Sequence, residues 1–191
     1  MFDTKKVTDM TYMFSGCNNI FNLDISNFNT ENVTNMSYIF DNCHLLNNLN
    51  ISSTFDTKNV INMSHMFNGC NNIKYLDLSS FHTESCIDMS YMFNICKNLN
   101  SLNLSSFNTE NVTDMSYMFQ NCCNLTNLDL SSFNTQKVTN MDCMLFACTS
   151  LFNLNIDSFN LENITNIDEI FKGCNQKIKS AFQDIKKIKT Y

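Results

Sequence analysis

Apolar residues return along this chain in a fixed order. In the stretch that opens at Phe107, the apolar slots are Phe107, Val112, Met115, Met118, Phe119, Cys122, Leu125, Leu128 and Leu130, and Phe133 starts the order again. Two local periods are nested inside it. Met115, Met118, Phe119 and Cys122 stand at i, i+3, i+4 and i+7, the spacing of one face of a short helix. Thr113 or Asp114 precedes them, where a side-chain oxygen caps the first free N–H groups. Leu125-x-x-Leu128-x-Leu130 follows, and its last three residues alternate as a half-buried strand does. The same four helical slots recur as Met10, Met13, Phe14, Cys17 and as Met89, Met92, Phe93, Cys96, drifting elsewhere only to Ile39, Leu145, Ile167 and Ile170. With one short strand per unit, neighbouring strands pair in parallel, about 4.8 Å apart.

Cysteine is the ruler of the repeat. Cys17, Cys43, Cys70, Cys96, Cys122, Cys148 and Cys174 are separated by 26, 27, 26, 26, 26 and 26 residues. A period in this range marks a solenoid, in which each unit contacts only its neighbours. The expected organisation is one solenoid over residues 1–175, of about seven coils starting near 2, 28, 55, 81, 107, 133 and 159. Past Gly173 the pattern stops. Ile178, Ala181, Phe182, Ile185 and Ile188 follow helical spacing among Lys177, Lys179, Lys186, Lys187 and Lys189, so residues 176–191 read as an amphipathic C-terminal capping helix. Lysines near a helix C-terminus also suit its dipole; a basic helix lying on a membrane surface is the alternative.

From Cys96 to Phe119 the residues read C-x-x-L-x-x-L-x-L-S-S-F-x-T-x-x-V-T-x-M-x-x-M-F. This resembles the leucine-rich repeat, and more closely the BspA-like leucine-rich-repeat surface proteins of bacteria, some mollicutes and protists. The chain departs from ordinary leucine-rich repeats in placing Phe where Asn or Cys usually follows the strand. Stacked Phe28, Phe55, Phe81, Phe107, Phe133 and Phe159 are then expected to replace the usual Asn ladder, with Thr30, Thr57, Thr83, Thr109 and Thr135 as hydrogen-bond partners for the turn. The expected fold is an α/β repeat: a right-handed, leucine-rich-repeat-like solenoid with a parallel β-sheet, short convex helices and the C-terminal cap. The resemblance implies noncatalytic binding and a cell-surface or secreted protein.

Charge narrows the partners. Residues 1–171 carry six Lys against seventeen acids, whereas 172–191 carry six Lys and one Asp, and there is no Arg. An acidic body of this kind does not suit nucleic acid, whose phosphates need a basic face. No apolar run approaches the roughly 18 residues of a membrane span. Residues 1–7 already belong to a repeat, so no signal peptide is visible in this chain. A cytoplasmic location therefore stays open beside a piece of a longer surface protein. The first coil presents a bare apolar edge, through which self-association is one expectation.

Ten cysteines invite a disulfide or metal reading. Seven equivalent residues pointing the same way in successive coils cannot all pair, and no C-x-x-C pair offers zinc its short-spaced ligands. We read the seven as buried structural thiols, Cys86 as core, and Cys143, in a slot held elsewhere by exposed Tyr, as the thiol most open to reaction; Cys123 is left undecided. His44, His65 and His82 occupy three different slots and form no catalytic arrangement, and no nucleotide-binding, zinc-protease or nucleophile-elbow motif is present. No enzyme, cofactor or metal site is expected.

Two ladders are the candidates for binding. The outward strand position reads Asp24, Asn50, Asp77, Asn103, Asp129, Asn155, with Tyr75 as the lone aromatic beside it. It is either a self-satisfied polar face or a strip for a basic peptide, a sugar or a surface polymer. On the convex side Tyr12, Tyr38, His65, Tyr91 and Tyr117 share one slot, for packing or for partner contact. The expected function is a binding scaffold for a protein or glycan ligand in cell-surface adhesion. One rival is an intracellular or viral structural scaffold assembling through its ends or ladders; another is a thiol or metal-binding protein.

Overall fold

The alternation in x-Leu-x becomes strand where it was expected. In the computed structural model, which describes residues 3–52, 54–164 and 169–180, six short strands follow one another: β1 (Asn22–Asp24), β2 (Asn48–Asn50), β3 (Tyr75–Leu76), β4 (Ser101–Leu102), β5 (Asn127–Asp129) and β6 (Asn153–Asn155). All pairing is parallel and in register, with Leu23 opposite Leu49, Leu76 opposite Leu102, and Leu128 opposite Leu154. The central leucine of each strand turns toward the core and its flanking residues point out, as the two-residue period demands. The expected single sheet is instead three two-stranded pairs, β1–β2, β3–β4 and β5–β6. The 27-residue step falls between β2 and β3. Thr54 is absorbed there by hydrogen bonds from its hydroxyl to the Phe28 carbonyl and from the Thr30 N–H to its own carbonyl, 2.9 and 3.2 Å.

The convex side corrects the helical expectation. No helix forms over the Met-x-x-Met-Phe-x-x-Cys segments; among the described residues the helical stretch is 176–180. Each segment is a run of tight turns. In the coil at Met115 the N–H groups of Met118, Gln120 and Cys122 bond back three residues, to Met115, Tyr117 and Phe119, at 3.1–3.3 Å. The alternate N–H groups, of Met115, Tyr117, Phe119 and Asn121, reach across to Asn140, Asp142, Met144 and Phe146 of the next coil at 2.8–2.9 Å. A helix would spend all these donors within itself; the turns send half of them sideways and tie the coils together. This geometry needs a left-handed residue twice per coil, as type II turns do. Tyr12, Tyr38, His65, Tyr91, Tyr117 and Cys143 take one such place (φ 53–60°), and Gly16, Asn42, Gly69, Ile95, Asn121, Ala147 and Gly173 take the other (φ 56–83°). The buried face is the one expected, because the turn run buries the same i, i+3, i+4, i+7 positions that a helix would: Met115, Met118, Phe119 and Cys122 are fully buried. Asp114 does not cap a helix. Its Oδ1 accepts from the Ser116 N–H and hydroxyl, and parallel bridges run through its slot from Asp9 by Asn35, Asn62, Asp88 and Asp114 to Asn140.

Two further ladders close each coil. The expected threonine ladder is present. The Thr83 hydroxyl accepts from the Asn108 N–H at 2.9 Å and donates to the Asn108 carbonyl at 2.8 Å. Thr57, Thr109 and Thr135 do the same to His82, Asn134 and Asn160, and Thr30 donates to Asp56. Phenylalanine forms two stacks. Phe55, Phe81, Phe107 and Phe133 lie 6.0–6.4 Å apart, and Phe14, Phe40, Phe67, Phe93 and Phe119 lie 5.3–5.8 Å apart. Burying each ring in this continuous core is worth on the order of 2–3 kcal/mol.

Of the expected cap, residues 181–191 lie outside the described residues. Helical turn 176–180 begins on Asn175, whose Oδ1 accepts from the Ile178 N–H at 3.1 Å and whose Nδ2 donates to the Leu151 carbonyl. Ile178 is buried against the last coil.

Candidate functional site

The strand residues expected to form a concave strip do lie together. Asp24, Asn50, Asp77, Asn103 and Asp129 are exposed, and Asn155 is half-buried. Each one first serves its own chain. Directly after the strand the backbone turns, and the side-chain Oδ1 accepts the N–H two residues on: Ser26, Ser79, Ser105, Ser131 and Asp157 donate to Asp24, Asp77, Asn103, Asp129 and Asn155 at 2.9–3.2 Å. This is why the slot is restricted to Asp and Asn, which alone make this turn readily. Hydrogen bonds from Ser26, side chain and backbone, hold the Asp24 carboxyl below its ordinary value. Backbone and side-chain bonds from Ser79 and Ser131 do so for Asp77 and Asp129. All three are ionised at neutral pH. Within this strip, an amide–carboxylate bond between coils occurs once among the described residues, from Asn50 Nδ2 to Asp24 Oδ1 at 3.2 Å.

A second polar row runs beside the first, because both residues flanking the strand leucine face out. Asn48 donates to Asn22 and Asn153 to Asn127, at 2.7 and 2.6 Å. Tyr75 breaks this row. It stands 70% exposed, with no ring partner among the described residues.

Sequence reasoning missed Phe152, which is 55% exposed. It sits where other coils carry Phe21, Asn47, Lys74, Asn100 and Thr126, and that departure from a mostly polar slot was the available signal. The Lys177 ammonium lies 3.6 Å from the centre of its ring. Together with Asn127, Asp129, Asn153, Asn155 and Ile178 these two line an open cleft of about 330 Å³ over β5 and β6.

The convex column is a single stack of rings. Tyr12, Tyr38, His65, Tyr91 and Tyr117 succeed one another at centroid distances of 4.5, 4.2, 4.3 and 4.5 Å, with interplanar angles of 9–23°. Their faces are therefore occupied by each other, and only the terminal Tyr12, 55% exposed, offers an open one. His65 is stacked between Tyr38 and Tyr91. It is half-buried, its Nδ1 has no hydrogen-bond partner among the described residues, and burial pushes its pKa down against the opposing charges of Asp41 and Asp88.

The cysteines are all free. Cys43, Cys70, Cys96, Cys122, Cys148 and Cys174 are buried; Cys17, in the first coil, is only half-buried. Each buried thiol of the column donates to a carbonyl of the coil before it, of Phe14, Phe40, Phe67, Phe93, Phe119 and Leu145 in turn, at 3.0–3.2 Å. Burial raises them to about 11 at Cys43 and about 12 at Cys96, and to about 12 at Cys86. Cys143, the thiol expected to be most open to reaction, is one of the three that are not buried, with Cys17 and Cys123. It is half-buried against Tyr117, and burial and Glu169 raise its pKa. Among the described residues no group of His, Cys, Asp or Glu could hold a metal ion, and no helix is long and apolar enough to cross a membrane.

Compared with known families, residues 1–101 and again 68–184 match the model described as "Mycoplasma protein of unknown function, DUF285". No curated protein matches the chain. A solved structure of a leucine-rich repeat protein from Bacteroides ovatus ATCC 8483 is similar at 18% identity and a TM-score of 0.41, over 83% of this chain and 45% of that one. This chain thus spans less than half the length of that protein.

Proposed function

We propose that this chain, which belongs to the DUF285 family of Mycoplasma proteins of unknown function, is a noncatalytic binding scaffold whose concave polar strip meets the partner. The observation that carries the reading is the contrast between its two ladders. The convex rings spend their faces on one another. The concave strip instead presents two exposed rows in coil-to-coil register, with Tyr75 standing free among ionised carboxylates and amides. A large, stiff ring with a hydroxyl is well suited to anchor a contact that neighbouring polar groups then orient.

The resemblance to BspA-like surface proteins favours adhesion, to a matrix protein or a surface glycan, as the use of that strip. The intracellular or viral scaffold and the thiol or metal protein are the rivals. Buried, strongly protonated thiols weigh against the last, since the thiolate is the ligand and the nucleophile.

Purified chain applied to arrays of immobilised matrix proteins and glycans tests the reading. Saturable capture on at least one class, unchanged by chelator and by reductant, is expected. Capture that disappears with chelator would transfer the reading to the metal rival. Silence on every surface, joined to concentration-dependent association in light scattering, would transfer it to the structural scaffold.

A further inference from the structure

We propose that the outer edge of β6 is a second binding site, which takes up an extended peptide of Asn-Leu-x pattern as an additional parallel strand. The site adjoins the end of the concave strip and shares Asn153 with it, but its backbone pairing does not depend on what that strip binds. Parallel pairing uses alternate residues of each strand toward each neighbour. In the β5 region the Thr126 carbonyl accepts from the Asn153 N–H at 3.1 Å, and the Leu130 N–H donates to the Asn155 carbonyl at 2.9 Å. Beside β1 the equivalent Phe21 and Ile25 bond Asn48 and Asn50 in the same way. Asn153 and Asn155 of β6 are thus committed to β5. Their alternates are the Phe152 carbonyl, both backbone groups of Leu154 and the Ile156 N–H. These form the same set of acceptors and donors facing the other way, and none has a partner among the described residues.

The side chains at this edge continue the offer. Asn22 Oδ1 accepts from Asn48, and Asn127 Oδ1 accepts from Asn153. The next acceptor in that ladder is the oxygen of Asn153, so an incoming Asn opposite it would extend the amide ladder by one rung. A leucine after it would fall beside Leu154 and Ile178. The chain itself does not supply this strand from its next described segment, because residues 176–180 coil into a helical turn instead of extending. That turn leaves the cleft bounded by Phe152, Lys177 and Ile178. Strand addition at an open edge draws its affinity from main-chain hydrogen bonds and its selectivity from alternate side chains.

A synthetic peptide of residues 20–27 carries the required pattern, with Asn22 taking the place opposite Asn153. In that register the N–H groups of Asn22 and Asp24 point to β6, and those of Leu23 and Ile25 point away. Fluorescence-polarisation titration of the labelled peptide with full-length chain is expected to saturate. N-methylation at Asn22 and Asp24 should weaken binding by about tenfold or more, two lost hydrogen bonds being worth that much; N-methylation at Leu23 and Ile25 should not. On the protein side, Leu154→Pro removes a donor that β5 does not use and should weaken binding similarly. Because both methylated peptides meet unaltered protein, a folding defect of L154P cannot mimic the result. No binding by the unmodified peptide, or equal binding of the two methylated peptides, overturns the proposal.

Discussion

At the scale of single residues, the chain holds its cost and its strength in small, separate places. Ile95 is a β-branched residue at φ 59° in a slot that other coils fill with Gly16, Asn42, Gly69 and Asn121. A left-handed L-residue costs roughly 1–2 kcal/mol, least for Gly and Asn. Ile95→Asn is therefore expected to raise the unfolding free energy by about 1 kcal/mol in a urea titration, and a loss of stability would contradict the strain. The reverse holds at Gly69, where an added Cβ would lie 2.5 Å from Asn42 Oδ1. Thr83 shows the opposite economy, with one hydroxyl serving both backbone groups of Asn108. Thr83→Val keeps the shape and orphans both groups, and should lower stability by about 2 kcal/mol. The Thr ladder was legible in sequence because it replaced a missing Asn at a known turn. The left-handed slots were not: Tyr and Ile disguise a backbone demand that glycine would have advertised.

Within one coil, the turn run explains why the apolar face was readable and the element was not. The spacing of Met115, Met118, Phe119 and Cys122 fits a helix and a chain of type II turns equally. What separates them is where the alternate N–H groups go, a matter of neighbouring coils that no window of one coil contains. The turns also set the convex rings face to face, and His65 is the odd member of that stack. Burial lowers its pKa, and Asp41 and Asp88 oppose this without reversing it. The folded state thus prefers neutral imidazole. The stability this confers is fully present above the ordinary value of 6.5 and is lost as pH falls through the lowered folded value. His65→Tyr should flatten this loss, so melting temperatures of the two proteins should diverge below about pH 6.5, with the wild type falling faster. Parallel acid profiles would remove His65 from the account.

Over the whole molecule, regularity fixes the architecture and leaves function to the exceptions. The cysteine ruler predicted coil length correctly because each of its thiols from Cys43 onward is a core member bonded to the preceding coil. These thiols also set an alkaline limit. Their folded values of about 11 to about 12 stand above the ordinary 9.0, so stability should be level below pH 9 and decline as pH rises toward 12. An unchanged melting temperature across that interval would contradict the buried thiol column. The concave rows were legible from the strand alternation, but their use in local turns was not, since an Asp in sequence does not say whether it caps a turn or awaits a ligand. Tyr75, Phe152 and Phe21, the aromatic interruptions of polar rows, are where specificity has room to enter. The most direct test compares Tyr75→Ser with Tyr12→Ser, in interferometry against whichever matrix protein or glycan captures the wild type. Loss of capture with Y75S and retention with Y12S is the predicted result. Full capture by Y75S with loss in Y12S would place binding on the convex stack and contradict the concave reading.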